Sequence, residues 1–413
     1  MATLTNTMQS DINELIFKDL DLSKKENFKK DPFWHNLRKT GTELWLDTGD
    51  LEEAAQIYTD EMTALTTNNT LLNKEIQKGI YDDFIKEADR ILEGLTTDER
   101  VMEIAFILNA HHGLRLVEKF GGKVSVELHT NLADDYDGIV EYGKRFHAIS
   151  PDHFIVKVPY TATGLIGARK LRDLNIPINF TLEFSARQNA LVTAIVRPNY
   201  LNVFLGRLNS YVADNELGDG NYVGEKSTLS SQRIVQKLSE NNRVPTKQIA
   251  ASLRNASQVD LLAGVDVFTM PTKVAIEARE KLHDGAFKSK VSEDYKVTMA
   301  SGIDHKAVRI ENLWEIDDKV LEFCHKMQET APATGLELNG LARDAGLTDM
   351  FPDLSQEEAG IIAKDGKIPV HKTWADKIRQ REIAIDTLLN LAGLASFTQD
   401  QKALDQRIEG LIK

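Results

Sequence analysis

The chain has 413 residues, of which 42% are hydrophobic and 27% are charged, so it can form one large domain with additions or two domains. Its formal net charge of −13 argues against general nucleic-acid binding, which requires a basic face. A small anionic substrate is still compatible with that charge, because a local arginine cluster can override it. The single cysteine, Cys324, excludes an internal disulfide.

The N-terminal residues contain no basic segment followed by an apolar core, which predicts that the chain has no signal peptide. The most apolar stretches are interrupted by Arg197, Pro198 and Arg207, which predicts that none of them spans a membrane. We therefore expect a cytoplasmic protein that binds neither nucleic acid nor membrane.

Residues 1–42 are polar and mostly helical in pattern, which predicts an N-terminal helical segment. From residue 43 onward, short apolar strands alternate with longer amphipathic stretches, which is typical of parallel βα units. The eight predicted strands are ELWLDTG from Glu43, ALTTN from Ala64, VSVEL from Val124, FIVKVP from Phe154, PINFTLEFS from Pro177, YLNVFLGRL from Tyr200, QIAASLRN from Gln248 and VDVFTMP from Val265.

Eight strands over this length favour an α/β fold of the (β/α)8 TIM barrel type in residues 43–290, with additional helices at both ends. A doubly wound sheet is the alternative, but it usually carries a glycine-rich phosphate turn after its first strand. The first strand here ends in Asp47-Thr48-Gly49-Asp50, which lacks that pattern. Residues 291–413 are charged and helical in pattern, and we predict that they form an extension packed on the barrel.

Polar residues stand at the predicted C-terminal ends of the strands, where the catalytic groups of such barrels gather. These residues are Asp47, Thr67, Asn68, Glu127, Lys157, Asn179, Thr181, Arg207, Ser252 and Arg254. Because side chains alternate along a strand, we expect Asn179 and Thr181 to share one face, and likewise Ser252 and Arg254. The whole set is expected to converge on one mouth of the barrel.

Lys157 interrupts an apolar strand, and a charged amine there is costly unless it is paired or functional. A lysine in a low-dielectric pocket has a lowered pKa, and its neutral amine can attack a ketone to form a Schiff base. The iminium is an electron sink that makes an aldol C–C bond breakable. Asp47 suits the base that removes the β-hydroxyl proton, and Glu127 with a water suits the proton shuttle for carbinolamine dehydration.

Arg207, Ser252 and Arg254 suit a phosphate-binding cluster at the same mouth. Taken alone, each of these residues is more simply explained by a structural role. Lys157 and the arginines could be members of ion pairs, and Asp47 could be a helix N-cap. The presence of polar groups at one strand end after another favours a catalytic site over these separate explanations.

Seven segments between Trp45 and Pro271 resemble the motifs of one enzyme family in the family's own order. They are LWLDTGDLEE (D-T-x-x-x-E), LTTNNTLLNKEI (T-T-N-P-S-L), VSVEL (a glutamate strand), FIVKVP (a Schiff-base lysine strand), INFTLEFS (N-x-T-L-x-F-S), VFLGRL (P-F-V-G-R-I) and AASLRNASQVDLLAGVDVFT (A-S-F-R-N with the residues after it). The family is transaldolase.

The resemblance implies that Lys157 forms the Schiff base, that Asp47 accepts the proton in aldol cleavage, and that Glu127 and Thr181 hold the catalytic water. It implies that the substrate-binding residues are Thr67, Asn68, Asn179, Asn202, Phe204, Arg207, Ser252 and Arg254, with Arg207, Ser252 and Arg254 at the phosphate. The family moves a dihydroxyacetone unit from sedoheptulose 7-phosphate to glyceraldehyde 3-phosphate in the pentose phosphate pathway. No metal or organic cofactor is implied, and the partners are sugar phosphates. We expect a monomer or a homodimer.

Fructose-6-phosphate aldolases resemble transaldolases but carry Gln at the position of Glu127 and Tyr at that of Phe204, so this chain favours transfer over simple cleavage. Asn202, however, stands where transaldolases usually have a serine that faces the donor sugar. The sequence therefore leaves open a transaldolase-like enzyme with a different sugar donor. A non-catalytic barrel is the third alternative.

Three further positions depart from the family pattern. Asn69 replaces a proline, which predicts a looser loop around Asn68, and His129 stands where an acidic residue is common. Glu183 occupies a usually apolar place, either as an extra charge near the mouth or as the partner of a basic residue on a helix. The Gly-rich and charged residues 214–226 are either a mobile lid or a solvated connection.

Overall fold

The computed structural model describes residues 3–24, 26–282, 286–330 and 332–412. Two helices precede the first strand, α1 at Asn6–Ile16 and α2 at Pro32–Arg38. Both begin at a capping side chain, since the hydroxyl of Thr5 accepts from Met8 N–H and the carboxylate of Asp31 accepts from Phe33 N–H. These helices confirm the additional N-terminal helices that the sequence pattern predicts.

Eight parallel strands of the described chain close into a barrel in sequence order, with the last strand paired to the first. They are β1 (Glu43–Asp47), β2 (Met62–Thr66), β3 (Lys123–Glu127), β4 (Phe154–Pro159), β5 (Ile178–Thr181), β6 (Tyr200–Phe204), β7 (Lys247–Ala251) and β8 (Val267–Met270). Each overlaps the strand predicted for it, so the predicted TIM barrel is confirmed.

Helices surround this barrel and connect its strands. They are α3 (Leu51–Ala55), α4 (Asn69–Gln77), α5 (Asp82–Ile91), α6 (Thr97–Phe120), α7 (Tyr136–Ile149), α8 (Ala162–Asp173), α9 (Ala186–Ile195), α10 (Leu205–Asp214), α11 (Val223–Ser239), α12 (Ser257–Leu261) and α13 (Thr272–Lys281). Among the described residues, no helix combines the length and the apolar character that crossing a bilayer requires.

Several of the predicted strands end earlier than their sequence patterns indicate, and for β6 and β7 this affects predicted site residues. Arg207 lies in the first turn of α10 rather than on β6. Ser252 follows the end of β7 with a positive φ of 64°, and Arg254 lies beyond it in the connecting loop. Strand alternation therefore does not apply to Ser252 and Arg254, because neither residue lies within β7.

The barrel interior has an apolar lower part and a polar upper part. The lower part is a separate cluster that comprises Trp45, Ala64, Ile155, Ile249, Ala251 and Val267. Because inward positions recur every second residue, Asp47, Lys157 and Thr269 project into the same interior one layer closer to the C-terminal ends of the strands. This alternation explains how a lysine occupies an otherwise apolar strand.

Six α-helices in the described part of the chain follow the barrel and belong to the C-terminal extension. They are α14 (His305–Val308), α15 (Asp318–Glu329), α16 (Gly335–Asp344), α17 (Gln356–Asp365), α18 (His371–Arg379) and α19 (Ile385–Glu409). α15 packs on α9, α16 packs on α8, and α19 packs on α4 and α6. The domain limits of 1–42, 43–290 and 291–413 remain a prediction, because the extension and the barrel share continuous packing.

Buried polar contacts fix α19 across the C-terminal end of the barrel. The guanidinium of Arg187 on α9 donates two hydrogen bonds of 2.8 Å to Asp386 of α19 and one of 3.1 Å to Asp349. Further along α19, the amide of Asn390 donates to the carbonyl of Leu182 at 2.9 Å. The strand end at β5 and the helix are therefore held together directly.

Candidate active site

A cavity of about 230 Å³ opens at the C-terminal ends of the strands. Most of the predicted site residues line it, namely Asp47, Asn68, Lys157, Asn202, Phe204, Arg207, Ser252 and Arg254. The other four, Thr67, Glu127, Asn179 and Thr181, are buried and do not line it. The structure thus brings the predicted residues to one end of the barrel, with some at the cavity wall and some behind it.

Lys157 is buried, and its side-chain nitrogen contacts groups at the C-terminal ends of β2 and β3. Its Nζ donates to the carbonyl of Thr67 at 3.1 Å and lies 3.5 Å from Oε2 of Glu127. The Thr67 hydroxyl turns away and donates to the carbonyl of Ser125 at 3.1 Å, so Thr67 contributes its backbone here. The ring of Phe397, from α19, has its centroid 6.0 Å from the same Nζ.

Asn69 holds Glu127 from the start of α4. Its backbone N–H donates to Oε2 of Glu127 at 3.3 Å, and its side chain donates to the carbonyl of Leu128 at 3.4 Å. A proline at this position has no N–H to offer. Burial raises the pKa of Glu127, and Lys157 opposes that rise. The expected loosening is not found, because the asparagine adds two hydrogen bonds and Asn68 still caps α4 by accepting from Leu71 N–H at 2.9 Å.

Asp47 lines the cavity at the end of β1. Its Oδ1 accepts a hydrogen bond of 2.8 Å from Thr66, whose hydroxyl also lies 2.6 Å from that of Thr269. Burial raises the pKa of Asp47, while Lys157 lowers it in part. The alternative role as a helix cap belongs to Asp50, whose carboxylate accepts from two N–H groups at the start of α3. Asp47 is therefore left available to the cavity.

An amide pair connects β5 and β6. The side chain of Asn202 donates to Oδ1 of Asn179 at 2.9 Å, and Asn179 donates to the hydroxyl of Ser125 at 2.9 Å. Thr181 is buried, and within the described part of the chain its hydroxyl has no hydrogen-bond partner. Of these three predicted residues only Asn202 reaches the cavity surface.

Two arginines approach each other because of a glycine. A Cβ atom at Gly206 would lie 2.2 Å from the carbonyl oxygen of Ser252 and 2.7 Å from Cγ of Arg254, so only glycine permits this contact. Arg207 is buried in the first turn of α10, and Nη1 of Arg207 has no hydrogen-bond partner among the described residues. Burial, and then Arg254, lower the pKa of Arg207 to about 10. A buried cation without an ion-pair partner, placed at the start of a helix, favours the binding of an anion there.

Nine residues that the sequence reasoning missed also line the cavity: Thr66, Thr70, Leu71, Lys74, Ala251, Thr269, Pro271, Lys367 and Phe397. Thr269 stands in the strand segment VDVFTMP, so the same strand-end argument would have found it. Lys367 and Phe397 belong to the extension, where no motif marks them. Their position follows from how α19 and the preceding turn pack on the barrel.

His129 and residues 214–226 lie away from the cavity lining. Nε2 of His129 lies 3.2 Å from Oδ1 of Asp405, so this departure from the family pattern faces α19. Gly218 forms a β-bridge with Met299 in the segment before α14. The lid role of residues 214–226 remains a prediction.

Glu183 fits neither interpretation of its charge. It is fully buried, does not line the cavity, and within the described residues neither carboxyl oxygen has a hydrogen-bond partner. Burial raises its pKa well above the ordinary value, and the nearby backbone of Glu183 and Asn202 and the charge of Lys157 offset this only in part. Burial therefore shifts the carboxyl group of Glu183 toward its neutral, protonated form.

Glu183→Gln is expected to change how stability depends on pH. Above about pH 4.3 the unfolded chain releases the Glu183 proton while the folded chain keeps it, so stability falls by about 1.4 kcal/mol per pH unit until the folded pKa is reached. The glutamine variant lacks this loss and should gain on the wild type between pH 5 and pH 8. Urea unfolding at both pH values measures it, with the exposed Glu357→Gln as control. Equal pH dependence in wild type and Glu183→Gln would contradict a raised pKa of Glu183 in the folded protein.

Another groove, of about 400 Å³, lies on the outer surface between α1, α6 and α7. Its buried carboxylate, Glu103, is already paired with Arg145 at 2.6 Å. Among the described residues, no group of three or more His, Cys, Asp or Glu side chains is arranged to hold a metal ion. The mouth of the barrel is therefore the stronger candidate for chemistry.

Comparison with known proteins points to one family. Residues 44–331, well over half of the chain, match a family model described as transaldolase/fructose-6-phosphate aldolase. The matched segment contains every predicted site residue from Asp47 to Arg254, whereas Lys367 and Phe397 lie beyond it.

Individual relatives give the same result at modest identity. A protein of Thermus thermophilus named probable transaldolase is 34% identical over 236 residues, which cover 56% of this chain and 88% of the relative. A Xanthomonas euvesicatoria protein named transaldolase is 29% identical over 234 residues, covering 54% of this chain and 71% of the relative. A Chlamydia caviae protein named transaldolase is 26% identical over 318 residues, covering 75% and 91%.

Proposed function

Because the chain belongs to the transaldolase/fructose-6-phosphate aldolase family and is an enzyme of the transaldolase type, we propose that it transfers a dihydroxyacetone unit between sugar phosphates through a Schiff base on Lys157. The donor is sedoheptulose 7-phosphate and the acceptor is glyceraldehyde 3-phosphate, and the products are erythrose 4-phosphate and fructose 6-phosphate. One observation supports this above all, namely a buried lysine at the cavity wall with two carboxyl groups of raised pKa beside it.

The first step joins Lys157 to the ketose. The neutral amine attacks the C2 carbonyl, and loss of water from the resulting carbinolamine gives the iminium. Glu127, whose Oε2 lies 3.5 Å from Nζ, exchanges protons with this intermediate through a water that Thr181 helps to hold. Its raised pKa suits that exchange, since burial makes the carboxyl a better proton acceptor than an exposed glutamate.

The second step breaks the bond between C3 and C4. Asp47 takes the proton from the C4 hydroxyl, the C3–C4 electron pair moves into the iminium, and the aldose phosphate leaves. The enamine that remains on Lys157 then adds to the aldehyde of the acceptor, and Asp47 returns its proton to the new hydroxyl. Water hydrolyses the resulting iminium by the reverse of the first step, which releases the product ketose phosphate and the free amine of Lys157. The hydrogen bond from Thr66 to Oδ1 orients Asp47 for both transfers.

The substrate phosphate binds at the opposite side of the mouth, where Arg207, Ser252 and Arg254 meet. Glu127 and Phe204 favour transfer over simple cleavage, because fructose-6-phosphate aldolases resemble this chain but carry Gln and Tyr there. The chemistry needs no metal or organic cofactor. The cytoplasmic location, the pentose phosphate pathway and the monomeric or dimeric state remain predictions.

One observation favours a second candidate, a transferase with a different sugar donor. Asn202 reaches the cavity in place of the usual serine, and its side chain donates to Oδ1 of Asn179. The cavity wall therefore presents a carboxamide where the usual serine would present a hydroxyl. A donor with a different hydroxyl pattern would fit such a site.

Trapping of the Schiff base tests both candidates. The protein is incubated separately with fructose 6-phosphate and sedoheptulose 7-phosphate, reduced with borohydride and analysed by intact mass and peptide mapping. We expect a reduced dihydroxyacetone adduct on Lys157 with each sugar. No adduct from either sugar, or an adduct on another lysine, contradicts the proposed function. An adduct on Lys157 that forms only with other ketoses supports the second candidate.

A further inference from the structure

Lys367 reaches the barrel mouth from the C-terminal extension. It lies in the connection between α17 and α18 and lines the same cavity as Arg207 and Arg254. Lys74 of α4 lines that cavity as well, so its wall gathers basic residues from the barrel and from the extension. Lys367 is exposed at the rim, whereas Arg207 is buried at the wall.

These cations are not neutralised by carboxylates of the described chain. Within the described residues, Lys74, Arg207, Arg254 and Lys367 have no carboxylate oxygen within ion-pair distance, 4.0 Å. The carboxylate of Asp400 is the acid whose charge acts on both Arg207 and Lys367, and it accepts a hydrogen bond from Thr70. Burial, and then repulsion by Arg207, lower the pKa of Lys367. A dianionic ligand would relieve that repulsion.

We propose that Lys367 binds the phosphate group of the sugar phosphate substrates together with Arg207 and Arg254. The inference rests on the proposed function for the identity of the substrate. It assigns to the extension, which lies mostly outside the matched family segment, a direct part in substrate binding. A compact ammonium at the rim, beside the exposed Arg254, can reach an anion that enters from solvent, while the buried Arg207 fixes the anion deeper in the cavity.

Lys367→Met tests this assignment, because methionine keeps much of the side-chain length and removes the charge. We expect the KM for fructose 6-phosphate to rise about tenfold and kcat to change less than about twofold, as for the loss of one charged contact. Inorganic phosphate should inhibit the variant about tenfold less strongly. The matched control is Lys364→Met, an exposed lysine of α17 that does not line the cavity, and it should behave as wild type.

Calorimetric titration of the full chain with inorganic phosphate separates this inference from the proposed function. Weaker phosphate binding by Lys367→Met than by Lys364→Met supports the assignment even if no transfer activity is found. Equal phosphate affinity and equal KM in Lys367→Met and wild type would overturn it. A loss of kcat with an unchanged KM would also overturn it, because that pattern indicates a structural role.

Discussion

Lys157→Met is expected to lower the rate of transfer by at least about 10³-fold while the protein remains folded. The loss is large because the amine supplies the only covalent link between enzyme and donor in the proposed chemistry. The fold should persist because burial raises the pKa of Glu127, so this carboxyl can take up a proton when Lys157 no longer faces it. Coupled-enzyme assays give the rate, and circular dichroism with thermal unfolding reports the fold.

The exposed Lys170 at the end of α8 provides the matched control, and Lys170→Met should transfer at the wild-type rate. A Lys157→Met protein that is folded and keeps more than about a tenth of the wild-type rate would exclude Lys157 as the nucleophile. Borohydride should give no adduct with this variant and a full adduct with the control.

The strands could be predicted from the sequence because each is a short apolar run that a longer amphipathic stretch separates from the next. The strand ends were harder to place. Leu205 and Gly206 continue the apolar pattern of β6, yet they begin α10, and Gly206 is there because any Cβ would collide with Ser252. A close approach between two loops leaves no periodic signal in either sequence.

The lysine, the carboxylates and the arginines of the candidate site could also be predicted, because consecutive parallel strands bring their C-terminal ends together. Lys367 and Phe397 could not be predicted in this way. Phe397 lies 6.0 Å from Nζ of Lys157 and 5.6 Å from the guanidinium of Arg207, measured to its ring centroid, only because α19 docks over the mouth. The docking of α19 depends on buried polar residues that are far from it in the sequence, so no local motif indicates it.

Some departures from the family pattern are explained by contacts in the structure, and one is not. Asn69 and His129 are explained by contacts with distant residues, Glu127 and Asp405 respectively, that no local motif reveals. Nothing in the structure explains the carboxyl group of Glu183. Its burial without a partner among the described residues costs stability that an apolar side chain would not.

Asp386→Ala is expected to destabilise the protein by about 3–5 kcal/mol, because it leaves the buried guanidinium of Arg187 with fewer partners. In the wild type, Arg187 donates two 2.8 Å bonds to Asp386, and the hydroxyl of Ser185 donates a third at 2.6 Å. Asp349 alone, at 3.1 Å, cannot replace them. Urea unfolding measures the free energy of unfolding, and the milder Asp386→Asn serves if the alanine variant does not fold.

Loss of the Asp386 contacts should also affect the active site, because Asp386 lies at the start of α19. The same helix presents Phe397 to the cavity, so a weakened anchor should raise the KM for sugar phosphates as well as lower stability. Asp376→Ala removes an exposed carboxylate of α18, whose side chain is 79% exposed beside Arg379, and should change neither quantity appreciably. If Asp386→Ala and Asp376→Ala unfold at the same urea concentration, the buried charges do not anchor α19, and the cavity wall formed by the extension must be held by apolar packing alone.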